Sequence, residues 1–314
     1  MTKRVAIIGA GMAGLAAARV LRDAGAACTV FDKSRGLGGR MATRRTGDFS
    51  FDHGAQYFTA RGPRFRAAVD AWRAAGDAAT WFEDAIVGAP GMTAPARAMA
   101  AGLETVTGCE VKSLSRDARG WSLHADDQSH EGFAAVIVAT PAPQTVPLLA
   151  SGGVSFPELA CVRYAPCLAL MLAFNGPVAF AGESLRLEHG PIAWIARDSS
   201  KPGRAEGAQT FVVHAGPEWS RAHIDETPDA ILEKLQPFAL DLIGADSAPG
   251  FAAAHRWRYA LVEQAAGLPC LWDARAGVGA CGDYCLGPRV EAAFDSGEAM
   301  AQAVLESWSA HVPA

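Results

Sequence analysis

The chain has 314 residues and a formal net charge of −5 at pH 7. This length is sufficient for two domains, and the mildly negative charge gives no indication of binding to nucleic acid or to an anionic membrane. No apolar run approaches the roughly 20 residues that would span a bilayer. The seven cysteines are odd in number and scattered without a CxxC pair, which favours reduced thiols in a cytoplasm and argues against a metal site.

The first predicted element is a short buried strand followed by a glycine-rich turn. Residues 5–8 form an apolar run typical of a parallel strand. Gly9, Gly11 and Gly14 then complete a GxGxxG pattern. The first glycine permits the tight turn, the second lets a pyrophosphate approach the backbone, and the third lets the next helix pack on the strand. The pattern predicts a dinucleotide site at the helix N-terminus.

An acidic residue follows at the distance that such a site requires. The helix is expected to stop near Gly25, and residues 28–31 form a second apolar run that ends at Asp32. A carboxylate there can accept hydrogen bonds from ribose hydroxyls. Two alternatives are a glycine-rich helix start without a ligand and, because Lys3 and Arg4 precede the apolar run, a secretory signal. The complete strand, helix and acid favour the nucleotide site and a cytoplasmic protein.

A second glycine-rich segment, SRGLGGRMATRR, follows closely at residues 34–45. The pair Gly38 and Gly39 lets the backbone approach a ligand, and the flanking Arg35 and Arg40 can pair with phosphate. A nicotinamide site of the usual kind has no need of this element, whereas an extended flavin dinucleotide lying along the domain does. The alternative is an exposed basic turn.

These segments, together with FDHGAQYFTAR at residues 51–61, resemble the flavin amine oxidase superfamily, and within it the renalase-like group. Further similar segments are GMTAPARAMAAGL, AAVIVATPAPQ, WIARDSSKPGR, VVHAGPEWS, HRWRYA and CGDYCLGPRVEAAFDSG, so the resemblance covers nearly the whole chain. It implies an α/β fold with a discontinuous Rossmann-like FAD-binding domain (1–62, 98–150 and 265–314). It also implies an α+β substrate domain with an antiparallel sheet (63–97 and 151–264).

The elements predicted from residue patterns agree with this architecture. Apolar spacing predicts helices over 64–76, with Phe65, Val69 and Trp72 inward, over 229–242, and after Pro288. Residues 108–114 read as a strand, and two further strands run from 120 and from 132 to Thr140. Residues 160–215 alternate short apolar runs with turns, as an antiparallel sheet would.

The motif and the resemblance together predict a set of residues that bind non-covalent FAD: Gly9, Gly11, Ala13, Gly14, Asp32, Lys33, Gly39, Arg40, Met41, Ala55, Gln56, Tyr57, Val111, Thr140, Asp283 and Val290. The resemblance places Val111 near the adenine and directs the N-terminus of the helix after Pro288 at the flavin pyrimidine ring. Its partial positive charge would favour the reduced, anionic flavin. Relatives often carry glycine where this chain has Ala292.

Four residues are the candidates for the catalytic pocket: Tyr57, Arg256, Tyr259 and His214. Tyr57 follows the segment that the resemblance places at the flavin edge, where an aromatic ring can stack on the substrate; the alternative is that it belongs to the core. Arg256 and Tyr259 combine charge and aromatic surface, and residues 256–259 are expected to alternate into and out of the pocket. A lone histidine in a strand, such as His214, is more often structural.

The segment ARDSSKPGR, residues 196–204, is open to two interpretations. Its cations, Arg197, Lys201 and Arg204, could bind a substrate phosphate, or the segment is a solvated charged loop. Lys201 also matters for a second reason. Amine oxidases of the resembled superfamily usually have a lysine that reaches flavin N5 through a water, and this chain has only five lysines: Lys3, Lys33, Lys112, Lys201 and Lys234. Only Lys201 could serve.

Three functions are therefore considered. The first is an oxidase that takes a hydride from a 2- or 6-dihydro isomer of NAD(P)H and passes electrons to oxygen, giving NAD(P)+ and hydrogen peroxide. The second is an amine oxidase. The third is a flavin-binding redox module without turnover. The resemblance and the scarcity of lysine favour the first, with a small-molecule substrate and oxygen as partners.

Overall fold

The computed structural model describes residues 2–126, 128–176, 178–205, 207 and 209–310. The strands, in chain order, are β1 (Arg4–Ile8), β2 (Ala27–Asp32), β3 (Arg44–Thr46), β4 (Phe49–Phe51), β5 (Ala78–Phe82), β6 (Ala85–Gly88), β7 (Glu104–Thr107), β8 (Val111–Asp117), β9 (Gly120–Ala125), β10 (Gln128–Phe133), β11 (Ala135–Val138), β12 (Arg163–Phe174), β13 (Ser184–Arg186), β14 (Ile192–Arg197), β15 (Gln209–Ala215), β16 (Phe251–Gln264), β17 (Leu271–Asp273) and β18 (Val278–Ala280). The helices are α1 (Met12–Asp23), α2 (Pro63–Ala75), α3 (Ala94–Ala100), α4 (Ala142–Ser151), α5 (Pro217–His223), α6 (Pro228–Ile243), α7 (Asp283–Leu286) and α8 (Val290–Ser309).

The first sheet has six strands in the order β17-β18-β11-β1-β2-β7. β1 pairs in parallel with β2 and β11, and β17 runs antiparallel at one edge. Val5 and Ile7 pack against α1 and α8, whereas Ala6 and Ile8 pack against the three-stranded sheet β8–β10 and α4. Burial on both faces explains why β1 is apolar throughout. This arrangement confirms the predicted Rossmann-like fold.

The second sheet has five antiparallel strands in the order β13-β14-β15-β12-β16. On β12, Leu168, Leu170 and Leu172 face a core that includes α6, and the alternate residues Met171 and Ala173 face Phe51 of β4. We call the face that carries Met171 and Ala173 the inner face, since it lies against the segment that follows β4. The predicted antiparallel sheet is thus confirmed.

Several local predictions need correction. The predicted strand from 132 to Thr140 is two elements, because β10 ends at Phe133 and β11 begins at Ala135. Helix α8 begins at Val290, with Arg289 as its N-cap, rather than at Pro288. Helix α6 buries Ala239 and Ile243, while the apolar Phe238 is 51% exposed.

Helix α2 has the predicted inward side chains Phe65, Val69 and Trp72. They join the same core as Phe294 of α8 and Ile86 of β6, so this part of the predicted substrate domain packs on the nucleotide-binding sheet. Helix α3 also runs across the predicted boundary at residues 97 and 98. In the described part of the chain, no helix has the length and apolar character needed to cross a membrane.

Helices α1 and α8 approach each other closely at one glycine. A Cβ atom on Gly297 would lie 2.1 Å from the carbonyl oxygen of Ala13, in the first turn of α1. Only a residue without a side chain allows this contact. The first turn of α1 therefore depends on the C-terminal helix for its position.

We expect Gly297→Val to destabilise the protein by about 3 kcal/mol or more, because the two helices must separate to admit the side chain. Urea unfolding of the holoprotein measures this change. Gly176→Val is the matched control, since a Cβ atom there meets nothing within 4 Å. Equal stability of the two variants would contradict the close approach.

Candidate active site

The two glycine-rich segments lie against each other at the N-terminus of α1. Gly11 is the N-cap of α1 and provides no side-chain cap, and a Cβ atom on it would meet nothing within 4 Å. The amide of Gly38 donates to the carbonyl of Ala10 over 2.9 Å. A Cβ atom on Gly39 would come 3.6 Å from Cα of Gly11. The result is an uncapped helix N-terminus with open space beside it, which suits a phosphate.

The carboxylate of Asp32 lies at the edge of this space. Its Oδ2 accepts from the amide of Ala10 and its Oδ1 from the amide of Ser34, each over 2.7 Å. A carboxylate has about four acceptor positions, so two are left for hydroxyl groups. Lys33, beside it, is exposed.

Two further predicted residues lie close to these loops. A Cβ atom on Gly9 would be 2.8 Å from the carbonyl oxygen of Ala139, which brings the neighbouring Thr140 to the glycine turn. The amide of Cys109 donates to the carbonyl of Asp32 over 2.9 Å, and the buried Val111 follows two residues later. The structure therefore brings the N-terminal, β8 and β11 candidates to one edge of the sheet.

Two further FAD-binding candidates, Arg40 and Asp283, bind each other. The two terminal nitrogens of Arg40 donate to the two oxygens of Asp283 over 2.8 and 2.6 Å, and one also donates to the carbonyl of Ala260 over 2.9 Å. Burial acts to lower the pKa of Arg40, but Asp283 outweighs it and the pKa is raised. The pair joins the second glycine segment to α7 and to β16.

The segment after β4 is fixed on both sides. The amide of Ala55 donates to the carbonyl of Arg40 over 2.8 Å, and a Cβ atom on Gly54 would lie 2.0 Å from that same oxygen. On the opposite side, the carbonyl of His53 accepts from Trp257 Nε1 over 2.9 Å and from His214 Nε2 over 3.3 Å. This short segment therefore connects the FAD-binding candidates to the inner face of the second sheet.

Lys201, in the loop after β14, holds the segment after β4 in place. Its ammonium group is fully buried and donates to Asp198 Oδ1 over 2.6 Å, to Gln56 Oε1 over 3.2 Å and to Asp52 Oδ2 over 3.4 Å. An ammonium group has three N–H bonds, so all of its donors are used by protein acceptors.

Arg204 completes a buried cluster of four charges. It pairs with Asp52 and donates to the carbonyl of Gly88 over 2.9 Å. Burial acts to raise the pKa of Asp52, but Lys201, Arg204, Thr43 and the amide of Met92 together hold it below its ordinary value. We call Asp52, Asp198, Lys201 and Arg204 the ionic cluster. Burial raises the pKa of Asp198, the carboxylate nearest to Lys201. The side chains of Lys201 and Arg204 are buried and paired with protein acceptors, so neither the phosphate site nor the solvated charged loop describes these two residues.

Gln56 is turned toward the ionic cluster. Its amide nitrogen donates to the carbonyls of Asp52 and Gly54, and its oxygen accepts from Lys201. Both amide hydrogens are therefore used, and the residue is buried. The neighbouring Tyr57 points elsewhere, since its ring lies 5.9 Å from Trp194 and 6.1 Å from Phe82.

One residue from each strand of the second sheet forms a row across the inner face. Each residue is directly opposite the next: Arg186 on β13, Trp194 on β14, His214 on β15, Ala169 on β12 and His255 on β16. The ring of His53 packs against this row, 4.6 Å from His255 and 5.1 Å from Trp257 between ring centroids. The inner face is therefore lined by aromatic and imidazole rings.

The three histidines are neutral at physiological pH. Loss of hydration on burial lowers the pKa of each of His53, His214 and His255 to about 4. Neighbouring positive charge adds to the effect at His255, where Arg44 and Arg256 contribute. In the described part of the chain, no cluster of three or more His, Cys, Asp or Glu residues has a metal-binding arrangement.

Two family descriptions match the chain. Residues 7–72 match the NAD(P)-binding Rossmann-like domain, and residues 70–305 match the flavin-containing amine oxidoreductases. The second match covers about three quarters of the sequence. The chain belongs to the flavin-containing amine oxidoreductase family. It is therefore a flavin-dependent oxidoreductase, and FAD is its cofactor. The space at Gly11, the uncapped N-terminus of α1 and the two free acceptor positions of Asp32 fit the phosphates and ribose of that dinucleotide.

Solved structures share the fold of this chain at low identity. A provisional protoporphyrinogen oxidase from Exiguobacterium sp. 255-15 is 14% identical, with a TM-score of 0.79 over 98% of this chain and 99% of that one. Cyclohexylamine oxidase from Brevibacterium oxydans IH-35A is 13% identical, with a TM-score of 0.69 over 98% and 100%. A putrescine oxidase bound to putrescine is 12% identical, with a TM-score of 0.68 over 98% and 99%.

Curated relatives match over a short stretch. The L-amino-acid oxidase of Crotalus adamanteus is 55% identical over 47 residues, which are 15% of this chain and 9% of that protein. The L-amino-acid oxidase apoxin-1 of Crotalus atrox matches to the same extent. This chain thus matches less than a tenth of the length of those oxidases.

The structure separates the four predicted pocket residues of this family member into two groups. His214 lies on the inner face, Tyr57 contacts Trp194 of the same row, and the ring of Tyr259 lies 5.7 Å from that of Tyr164. Arg256 is opposite Leu168 and donates to the carbonyl of Ile224 over 2.8 Å, on the α6 side of the sheet. Arg256 is therefore left out of the candidate site.

Sequence reasoning missed several residues on the inner face. His53 and Asp52 lie in the FDHGAQ segment that carried the resemblance, yet only its later residues were assigned roles. Strand alternation along β16 could have separated His255 and Trp257 from Arg256 and Arg258. Trp194 begins the segment WIARDSSKPGR that carried part of the resemblance, but its place on the inner face depends on the pairing between β14 and β15.

We expect Gly11→Val to fold but to lose FAD. Gly11 has φ −79° and ψ 178°, which valine adopts, and the new side chain contacts open space rather than protein. It would occupy the space of the pyrophosphate, so affinity for FAD should fall by at least about a hundredfold, or ~2.7 kcal/mol. Flavin absorbance of the purified variant and its circular dichroism measure the two effects.

Acid precipitation of the parent protein is the companion measurement, because we predict non-covalent FAD. It should give a colourless pellet and a yellow supernatant. A yellow pellet, or a Gly11→Val protein that retains its flavin, would contradict the site.

We expect stability to fall between pH 7 and pH 5. His214 has a pKa of about 4 in the folded state and about 6.5 in the unfolded chain. The unfolded state therefore binds more protons in this range, and His214 alone should cost about 2 kcal/mol of the free energy of unfolding. Urea unfolding at both pH values measures the loss. His214→Gln keeps an N–H donor but does not titrate, so its loss should be smaller; an equal loss would contradict the burial of a neutral imidazole.

Proposed function

We propose that this family member is an oxidase of dihydronicotinamide dinucleotides. It takes a hydride from the 2- or 6-dihydro isomers of NAD(P)H, and one dihydronicotinamide, one oxygen molecule and one proton give NAD(P)+ and hydrogen peroxide. The bound flavin supplies the two-electron acceptor for that hydride. The resemblance of nearly the whole chain to the renalase-like group supports this proposal.

The observation that carries the proposal is the state of Lys201. An oxidase that uses lysine to hold a water near the flavin needs a lysine N–H that is free to bind that water. All three N–H bonds of Lys201 are directed to protein acceptors, and its side chain is fully buried. The other lysines lie elsewhere: Lys3 over the ring of Trp308, Lys112 beside Glu110, Lys234 beside Glu226, and Lys33 exposed after Asp32.

The rings on the inner face suit a flat, uncharged donor. Trp257 would hold a dihydropyridine ring by stacking and help to exclude water from it, and Tyr57 would lie at the other end of the row, beside Trp194. Oxidation of that ring releases a hydride and leaves an aromatic cation, so no group has to remove a proton. The neutral imidazoles of His53 and His255 are consistent with this, because they add no positive charge beside the pyridinium product.

The proposal assigns roles to the sequence-derived residues and boundaries. Residues 1–62, 98–150 and 265–314 would bind FAD, and 63–97 and 151–264 would form the substrate domain, with α3 and the core side chains of α2 belonging to the former. Phosphates would bind at Gly9, Gly11, Ala13 and Gly14, and the rest of FAD would extend along the other candidates. Of these, Arg40 and Gln56 would act by holding their segments in place, through Asp283 and Lys201. The N-terminus of α8 at Val290 would face the flavin, which agrees with its lack of a side-chain cap.

Amine oxidation is the second candidate, since several solved structures of the same fold carry the names of amine oxidases. A protonated amine must lose a proton before it can give up a hydride. The site would then need a base, and the imidazoles of the inner face, with pKa values lowered to about 4, are weak ones.

Anaerobic stopped-flow mixing of the holoenzyme separates the two functions. We expect the 2- or 6-dihydro isomer of NAD to bleach the flavin at least about a hundredfold faster than ordinary 4-dihydro NADH, a difference of ~2.7 kcal/mol in barrier. Putrescine, cyclohexylamine and L-amino acids should bleach it slowly or not at all. Rapid bleaching by an amine, with the dihydro isomers inert, would overturn the proposal and favour the amine oxidase.

A further inference from the structure

An arginine stands at the open end of the row on the inner face. Arg186 ends the edge strand β13 and lies directly opposite Trp194. Its guanidinium carbon is 4.9 Å from the centroid of the Trp194 ring, and one terminal nitrogen is 3.5 Å from Tyr57 Oη. The group is exposed to solvent and contacts both the indole plane and the phenol.

This arginine differs from the others on the same sheet. Arg163 and Arg197 donate to backbone carbonyls, Arg256 donates to the carbonyl of Ile224, and Arg258 pairs with Asp225. Within the described ranges, Arg186 has neither a carboxylate within 4 Å nor a backbone acceptor. Four of the five N–H bonds of a guanidinium remain for a ligand when one donates to Tyr57.

A stacked guanidinium with unused N–H bonds is suited to an anion. Stacking on indole leaves the edge of the fork free, and this edge matches two oxygens of a phosphate. The indole Nε1 of Trp194 is also buried without a hydrogen-bond partner among the described residues. The same positive charge disfavours a cationic donor, such as a protonated diamine, at this end of the row.

We propose that Arg186, supported by Trp194 and Tyr57, binds a phosphate of the substrate dinucleotide. The inference rests on the proposed function, because a dihydronicotinamide dinucleotide carries a pyrophosphate beyond the ribose of its reacting ring. The segment from His53 to Tyr57 covers the middle of the row at His214, so the ribose phosphate would reach the edge strand outside that segment, where Arg186 is exposed. Arg186 is thus a specificity residue for the dinucleotide, separate from the residues that hold FAD.

The test compares the binding of NAD+ and of nicotinamide riboside, which differ in charge, to the oxidised holoenzyme. NAD+ carries the pyrophosphate, and nicotinamide riboside carries the same pyridinium without phosphate; each is titrated by its effect on the flavin absorbance. Arg186→Gln should weaken NAD+ binding by about ten- to a hundredfold, the loss expected for a charge-assisted hydrogen bond. It should leave nicotinamide riboside binding unchanged. Arg258→Gln, which removes an exposed arginine from the opposite face, should change neither.

The other possible outcomes contradict either the phosphate site or the proposed function. If Arg186→Gln binds NAD+ as the parent does, or if it loses NAD+ and nicotinamide riboside equally, the phosphate site is wrong while the proposed function stands. If the parent holoenzyme binds no NAD+ and is not bleached by any dihydro isomer, the proposed function fails and this inference falls with it. Added salt should weaken NAD+ binding in the parent more than in the variant; equal sensitivity would also contradict the site.

Discussion

The ammonium group of Lys201 is the constraint on which the arrangement of the site depends. It connects a loop of the second sheet to the segment after β4 through Asp198, Asp52 and Gln56. Because Asp52 is fixed, His53 is held where its carbonyl accepts from both Trp257 and His214. One buried cation thereby sets the spacing between the FAD-binding candidates and the rings that face them.

A buried ionic cluster of this kind is not a simple source of stability. Removing its charges from water costs several kcal/mol of free energy per ion. The attraction between the charges offsets this cost only when every partner is present. Loss of a single member leaves an unpaired charge, which costs about 3–5 kcal/mol. The clear consequence of the ionic cluster is therefore geometric. The four side chains hold the segment after β4 against the loop after β14.

The nucleotide-binding half of the site was predictable from sequence because its signals are local. The strand, the three glycines and Asp32 lie within 28 residues. The positive φ of Gly9 and the close backbone contact of Gly14 require glycine, and Gly11 leaves space for the ligand. Helix α2 was equally clear, since Phe65, Val69 and Trp72 recur at helical spacing. These patterns reflect constraints that one element imposes on its own residues.

The half of the site on the second sheet was less predictable because its contacts join distant residues. Lys201 reads as a loop cation in the sequence, and only the fold brings it to Asp52, 149 positions earlier. Arg40 reads as a phosphate ligand, and its pairing with Asp283 spans 243 positions. Arg256 and His255 are neighbours in sequence with opposite orientations, which follows from strand alternation once β16 is known. Phe238 has apolar character but lies one position away from the buried stripe of α6.

The pairing of β18 with β11 has a consequence for how the protein reaches this state. The strand at Val278–Ala280 lies beside β11, which in turn lies beside β1. The parallel sheet therefore cannot be completed before residues 278–280 are present. Pairings between strands so far apart in sequence form slowly. Until then the apolar edge formed by Val136 and Val138 has no neighbour. A chain arrested before residue 278 would expose that edge, and such an unpaired apolar strand is a site for aggregation.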